Sequence, residues 1–286
     1  MENVSATAYW MAAYRSIEQG EKYPLFIDTF SAEIAEPKGF QFLKNLSFGL
    51  HYEWIFNTRT KVIDNLIIET LQKEQIDVVI NLAAGFDMRP FRLNLHPNLK
   101  WVEIDHENII LQKNKVTKNQ TPNCQLLRKS CDLTQDSRLK LLLTDLKLAE
   151  AKVLILTEGL LIYLSRPQIL NLSNSFGELL TVRMFWIFDG AHPLIVKMMG
   201  WLWNPVLSLA RCHFTSGIYR GNFFSFFSEQ FEIVRFDSLF HQAKKFNKAP
   251  VSVNVMTFFS NWWLPSVRNW YFGLSGIYML DRSKNK

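Results

Sequence analysis

Gly85 and Asp105 are the first residues whose types and spacing could do chemistry. Gly85 follows the apolar run IDVVINLAA, and Asp105 closes a second run, LKWVEID, 20 residues further on. A glycine past one strand lets bare backbone approach a ligand, and an acid ending the next can accept hydrogen bonds from both hydroxyls of a ribose. The turn AAGFD has one glycine where a dinucleotide fingerprint needs three, so the cradle for a pyrophosphate is missing. A ligand with a ribose and no phosphates fits better, and S-adenosylmethionine is the common one. A tight strand-to-helix turn without a ligand is the competing reading.

Other acids fall at the ends of further strand-like runs: Asp87 just past the first, then Asp132, Glu158 and Asp189. In an open α/β sheet, ligands bind outside the carboxyl ends of the strands. Acids gathered there would face a cationic or hydroxyl-rich ligand, and the sulfonium, ammonium and ribose of S-adenosylmethionine supply both features. His192, three residues past Asp189, is the best-placed general base should the reaction need one, with a structural role as the alternative. No HExxH, Walker A or Ser-His-Asp spacing points to a different chemistry.

The elements that must position these residues follow from periodicity. Residues 1–70 read as a helical cap without strands, including SATAYWMAAYRSIE and the amphipathic TRTKVIDNLIIETLQKE. Residues 76–190 alternate strand and helix, which implies parallel pairing with right-handed crossovers: a doubly wound, Rossmann-like α/β sheet forming the cofactor-binding core. Residues 191–230 break the alternation and read as an inserted aromatic cap. Residues 231–286 are expected to close the sheet with FEIVRFDSL and GIYMLDR, the last strand antiparallel at an edge. No Ser/Gly/Pro-rich linker divides the chain, so one domain is expected.

Composition narrows the partners. The net charge of +6 is spread without a basic run interleaved with aromatics, so nucleic acid is not expected. Cys124, Cys131 and Cys212 show no CxxC spacing, which argues against a metal site or a disulfide framework and fits a cytoplasmic protein. The start shows no secretory signal pattern. The apolar stretch 191–210 approaches the length of a spanning helix, but Lys197 and Asn204-Pro205 interrupt it, so stable membrane insertion is not expected. The 23 Phe and nine Trp, many of them between Phe185 and Phe272, suggest an apolar pocket for a small-molecule substrate or simply an aromatic core.

Several blocks together are more particular than any glycine turn: SATAYWMAAYRSIE, NTRTKVID, VVINLAAGFDMRPFRL, WVEIDH, CDL and LILTEGLLIYLSRPQI. In these blocks and their order the chain resembles the leucine carboxyl methyltransferase family, whose bacterial branch includes small-molecule and polyketide O-methyltransferases. The resemblance implies S-adenosyl-L-methionine as cofactor and a role for each matching position. Arg59 would clamp the methionine carboxylate, Gly85 would lie under the cofactor and Asp105 would hold the ribose. Asp132 with the backbone of Leu133 would read the adenine. Glu158 would face the methionine ammonium or the transfer site, Tyr163 would wall the substrate pocket, and Arg15 would close over cofactor and substrate. Arg89 and Arg92 are read as buried partners for nearby acids. Ala83 and Ala84 stand where the family usually has a glycine. The expected activity is O-methylation of a carboxyl or hydroxyl group on a small, largely apolar metabolite. A non-catalytic scaffold of the same fold and a protein carboxyl-terminus methyltransferase remain as alternatives.

Overall fold

The computed structural model describes residues 5–35, 37–46, 49–146, 148, 150–179, 183–209, 212–259 and 262–282. The strands are β1 (Val78–Leu82), β2 (Lys100–Asp105), β3 (Gln125–Ser130), β4 (Val153–Thr157), β5 (Met184–Ala191), β6 (Glu232–Ser238) and β7 (Ser275–Arg282). They form one sheet in the order β3-β2-β1-β4-β5-β7-β6. Pairs from β3 across to β5 are parallel, and β7 runs antiparallel to both its neighbours. Strand order reverses between β1 and β4, which opens a ligand crevice where the loops after these two strands part.

The sheet is covered on both faces, which is why every residue of β1 and β4 is buried and nearly all are apolar. Val78, Ile80 and Leu82 join α7 (Asp136–Asp145) and α8 (Arg166–Leu179) in one core layer, through Leu139, Leu143, Ile169 and Phe176. Val79 points the other way, into a layer with Val62, Ile63, Leu66 and Ile67 of α4 (Glu53–Lys73). Each such buried side chain contributes about 1.5–3 kcal/mol. The helix α4 therefore belongs to the sheet's flanking layer. Only α1 (Ser5–Gln19), α2 (Ser31–Ala35) and α3 (Lys38–Asn45) form the cap proper. They make a third core with Phe86, after β1, and with Trp203 and Leu207 of α9 (Pro193–Leu209).

The structure corrects the expected outline in four places. The helix after the glycine turn, α5 (Arg89–Arg92), is a single turn, and Leu93 directly beyond it is already extended. The expected closing strands are separated by three helices, α10 (Leu239–Lys245), α11 (Val251–Phe259) and α12 (Pro265–Phe272). The antiparallel strand is not the edge: β7 lies between β5 and β6. Its near-continuous burial suits an interior position, whereas β6 alternates exposed and half-buried residues before its buried end, as an edge does. The inserted aromatic segment is divided. Phe223, Phe226 and Phe227 pack into the sheet core, with Phe227 5.2 Å from Trp186 and 5.0 Å from Phe188, while α9 and residues from Cys212 to Ile218 line the crevice. No described helix is long and apolar enough to cross a membrane.

Between β2 and β3, α6 (Glu107–Val116) follows Asp105 directly, with His106 in extended conformation at its amino end.

Candidate active site

The β1–α5 turn places backbone against the crevice by two left-handed residues, Ala83 (φ 50°) and Gly85 (φ 47°). Glycine adopts this conformation without strain; alanine does not. The position where a glycine would be favoured is therefore Ala83 as much as Gly85. The amide of Gly85 donates to Asp105 Oδ2 at 2.6 Å, and the amide of His106 donates to Oδ1 at 2.7 Å. Both oxygens of Asp105 are thus held in place, with lone pairs left over for a ligand. Burial pushes the Asp105 carboxyl up, and the two amides oppose that shift.

Beside this turn lies a connected charge network. Arg89, 2% exposed, donates from Nε to Asp64 (2.7 Å) and from Nη1 to Asp87 (2.7 Å) and Glu158 (2.8 Å). Arg92 pairs with both oxygens of Asp64. Arg59 donates from Nε to Glu158 (3.0 Å) and from Nη1 to Asp189 (2.9 Å), while its Nη2 meets the Met11 sulfur at 3.3 Å. Arg89 and Arg92 are buried partners of acids, in keeping with their sequence reading. Burial alone would raise the carboxyls of Asp64, Asp87 and Glu158, but the neighbouring guanidinium groups outweigh it and hold all three below their ordinary values. The network holds three guanidinium groups and four carboxylates, a surplus of one negative charge along the crevice.

At the end of β3, Asp132 accepts from the amide and hydroxyl of Thr134 and from Gln135 Nε2, which holds its carboxyl below the usual range. Arg15 donates to Asp28 (2.8 Å) and to the carbonyl of Phe86 (2.6 Å), tying the cap to the glycine turn. Past β4, a short helical turn, Leu161–Tyr163, aims Tyr163 at the crevice, where its ring lies 5.5 Å from that of Phe214. Burial pushes the Tyr163 hydroxyl well above its ordinary value, so it stays protonated and can donate a hydrogen bond.

All five acids past the strand ends, Asp87, Asp105, Asp132, Glu158 and Asp189, line one cavity of about 660 Å³, together with Arg15, Arg59, Gly85, Leu133 and Tyr163. Its other half is walled by aromatic and thioether side chains, among them Trp10, Phe56, Met199, Trp203 and Phe214. His192 is the exception among the expected residues. It lies outside this lining: its Nδ1 accepts the amide of Leu194 at 3.2 Å at the start of α9, and its ring packs 4.5 Å from Tyr219. Because α9 begins straight after β5, its exposed amides recruit that nitrogen.

Sequence reasoning misses two lining histidines, His106 and His213, and the pairing of Asn81 Nδ2 with Asp87 at 2.8 Å. Asn81 carries a signal: it is a polar residue inside the buried run VVINL. His213 carries none, because only the folding back of the chain after α9 brings it to the cavity. Among the described residues no group of His, Cys, Asp and Glu is arranged to hold a metal ion.

A sheet of this strand order with one reversed strand, and an acid-rimmed crevice at its switch point, defines the Rossmann-like methyltransferase fold. The chain belongs to the leucine carboxyl methyltransferase family, whose model matches residues 8–176. It is 32% identical over 111 residues to a "Putative S-adenosyl-L-methionine-dependent methyltransferase" of Streptomyces coelicolor, covering 38% of this chain and 36% of that one. A protein of the same description from Mycobacterium tuberculosis is 28% identical over 176 residues, 57% of this chain and 58% of the relative. The chain thus spans from about a third to somewhat over half the length of these curated relatives. A crystal structure of a "duf574 family protein" from Streptomyces avermitilis superposes with a TM-score of 0.62 at 12% identity, over 97% of both chains. One described as a "putative methyltransferase" from Thermobifida fusca gives 0.61 at 13%, over 97% of this chain and 94% of that one. At these identities the two structures bear on the fold alone.

Proposed function

We propose that the chain transfers the methyl group of S-adenosyl-L-methionine to an oxygen of a small, largely apolar metabolite, either a carboxyl or a hydroxyl group. The observation that carries this reading is the division of one cavity into an acid-rich half at the strand ends and an aromatic half under the cap. A cofactor bearing a sulfonium, an ammonium and a ribose suits the first half; an apolar acceptor suits the second. The donor set fits the cofactor. Asp105, with both oxygens oriented by amides, would hold the ribose hydroxyls, and Asp132 with the backbone of Leu133 would hold the adenine. Glu158 would face the ammonium. Arg59 would take the carboxylate through Nη2, exchanging the weak Met11 sulfur acceptor for a charged oxygen.

When bound, the cofactor supplies an electrophilic methyl carbon: the acceptor oxygen forms a bond to it as the carbon–sulfur bond breaks and the electron pair leaves with sulfur. What the protein contributes is alignment and exclusion of water. Arg15 keeps the cap on the glycine turn, and Tyr163, whose hydroxyl burial keeps protonated, lies at the cavity wall beside Phe214. A carboxylate acceptor arrives ionised and needs no base. A hydroxyl acceptor must lose its proton, and His213 is the imidazole that borders the aromatic half.

Titration calorimetry with S-adenosylmethionine tests the binding half of this reading, since a bound cofactor must also raise the melting temperature. Incubation with a methyl-labelled donor and a metabolite extract tests the transfer. Alkali releases the label from an ester and leaves it on an ether, which separates the two acceptor classes. A second reading, a binding protein without transfer, draws on Ala83, whose methyl group occupies the strained turn at the cavity wall. Cofactor binding without any labelled product would select it.

A further inference from the structure

Two stretches of the chain contain no acidic residue, 190–228 and 238–280, and they hold seven of its 32 Lys and Arg. The remainder, with 25 basic and 26 acidic residues, is close to neutral. The same two stretches expose large apolar side chains. On α11 and the turn after it, Val251 is 78% exposed, Phe258 61%, Trp262 79% and Leu264 71%. On α9, Trp201 is 80% exposed and Met198 45%. Phe258, Phe259 and Trp262 contact one another at 5.3–6.4 Å between centroids, so they form a ring cluster that buries little of itself against the rest of the chain.

Of these elements α9 lines the cavity, and α12 reaches it through α10. The amide of His192, at the start of α9, donates to the carbonyl of Leu274, just past α12, at 2.8 Å. Met198 both lines the cavity and reaches its surface. From α10, Phe240 also lines the cavity and lies 5.1 Å from Tyr271 of α12, which in turn lies 5.4 Å from Trp263.

We propose that α11, α12 and the outer face of α9 form a docking surface for an anionic lipid bilayer. Charge selects this occupant. Exposed Lys244 and Lys245 precede the apolar cluster, Lys197 lies on α9 between its exposed side chains, and Arg268 lies on α12, with no carboxylate on any of these elements to repel a phosphate-bearing surface. Tryptophan with flanking cations is the composition that settles at the boundary of headgroups and acyl chains. The helices lie on the bilayer rather than cross it, in keeping with their lengths. The docking is independent of which acceptor the cavity takes.

Flotation of the whole protein with vesicles of phosphatidylcholine containing about 30% phosphatidylserine tests this. The protein is expected to float with these vesicles and to bind at least about tenfold less to phosphatidylcholine alone or at about 0.5 M salt. The double variant Phe258→Ser, Trp262→Ser is expected to lose binding at least about tenfold while keeping the wild-type unfolding midpoint, since both side chains are exposed. Wild-type protein left at the bottom of the gradient overturns the proposal, as does equal flotation of the double variant. So does a concentration-dependent dimer that the double variant abolishes while vesicle binding is absent, which would give the surface to a second copy of this chain. A wild-type protein that floats but shows no thermal shift with S-adenosylmethionine would count against the methyl-transfer reading and leave the docking surface standing.

Discussion

The two halves of the cavity are built by opposite means. The acid-rich half is assembled from strand ends and held by short, directional bonds: amides on Asp105, guanidinium groups on Asp64, Asp87, Glu158 and Asp189. The aromatic half is assembled from helices and held by ring contacts, with Trp203 5.3 Å from Trp10 and 5.1 Å from Tyr52. Directional bonds tolerate little change in residue type; ring packing tolerates a good deal if volume is kept. The family match crosses this divide: it runs from residue 8 to 176, so it takes in Trp10, Tyr52 and Phe56 of the aromatic half and ends before Asp189 of the acid-rich half and before α9 and His213. The walls contributed after residue 176, those of α9 and the chain around Phe214, are the part of the cavity that lies outside the family match.

The sharpest break in the acid-rich half is Arg89→Met. It takes from Asp87 its guanidinium partner and from Asp64 and Glu158 one of two, and removing one member of a buried ion network costs about 3–5 kcal/mol. Denaturant unfolding of the variant should show that loss; a stability unchanged from wild type would mean the network is not the frame of this half.

Acid should act on the same network next. The carboxyls of Asp64, Asp87 and Glu158 lie below their ordinary values of 3.8–4.5 in the folded chain. Their contribution is therefore complete above those ordinary values and is lost as pH falls through the lower folded ones. Asp105, raised by burial, works in the opposite sense. Melting temperatures measured from pH 7 downward should stay high until about pH 4 and then fall steeply; a fall centred near pH 6 would point to histidine instead.

The division itself is tested by a pair of variants. Asp105→Ala should weaken S-adenosylmethionine binding by about 1–3 kcal/mol and leave the choice of acceptor unchanged. Phe214→Ala, which trims a half-buried ring beside Tyr163 and Trp203, should leave cofactor affinity within about twofold. It should alter kcat/KM ratios between acceptors of different bulk by about 1–3 kcal/mol. Crossed results, with Phe214→Ala weakening the cofactor as much as Asp105→Ala does, would show one site and not two halves.

The smallest effect concerns the seam. Ala83→Gly removes a left-handed alanine, worth about 1–2 kcal/mol, against the extra freedom glycine gives the unfolded chain, about 0.5–1 kcal/mol. A net gain of about 0.5–1 kcal/mol in unfolding free energy is expected. A loss would mean that the methyl group packs usefully at the cavity wall.

What can be read from the sequence is what short-range physics dictates. Runs such as VVINL, KWVEID and VLILT read as strands of a sheet covered on both faces, so local pattern marks their carboxyl ends, and with them Gly85, Asp105 and Glu158, as the edge where a ligand is expected. The helices α11 and α12 are hard to read because VSVNV alternates apolar and polar residues with the period of a strand, and PSVRNWYF is too short to display a period of 3.6. His192 misleads because nearness to Asp189 along the chain says nothing of where its ring turns once α9 starts at the next residue and claims its nitrogen. Residues far apart in sequence are brought together by tertiary structure alone. Arg59 reaches Glu158 and Asp189 across 99 and 130 positions, β7 enters the sheet between β5 and β6, and Phe223 turns into the core while Phe214 stays over the crevice. Local pattern determines which faces must be buried; which surfaces bury each other is set by the packing of the whole chain, because only there do the competing partners meet.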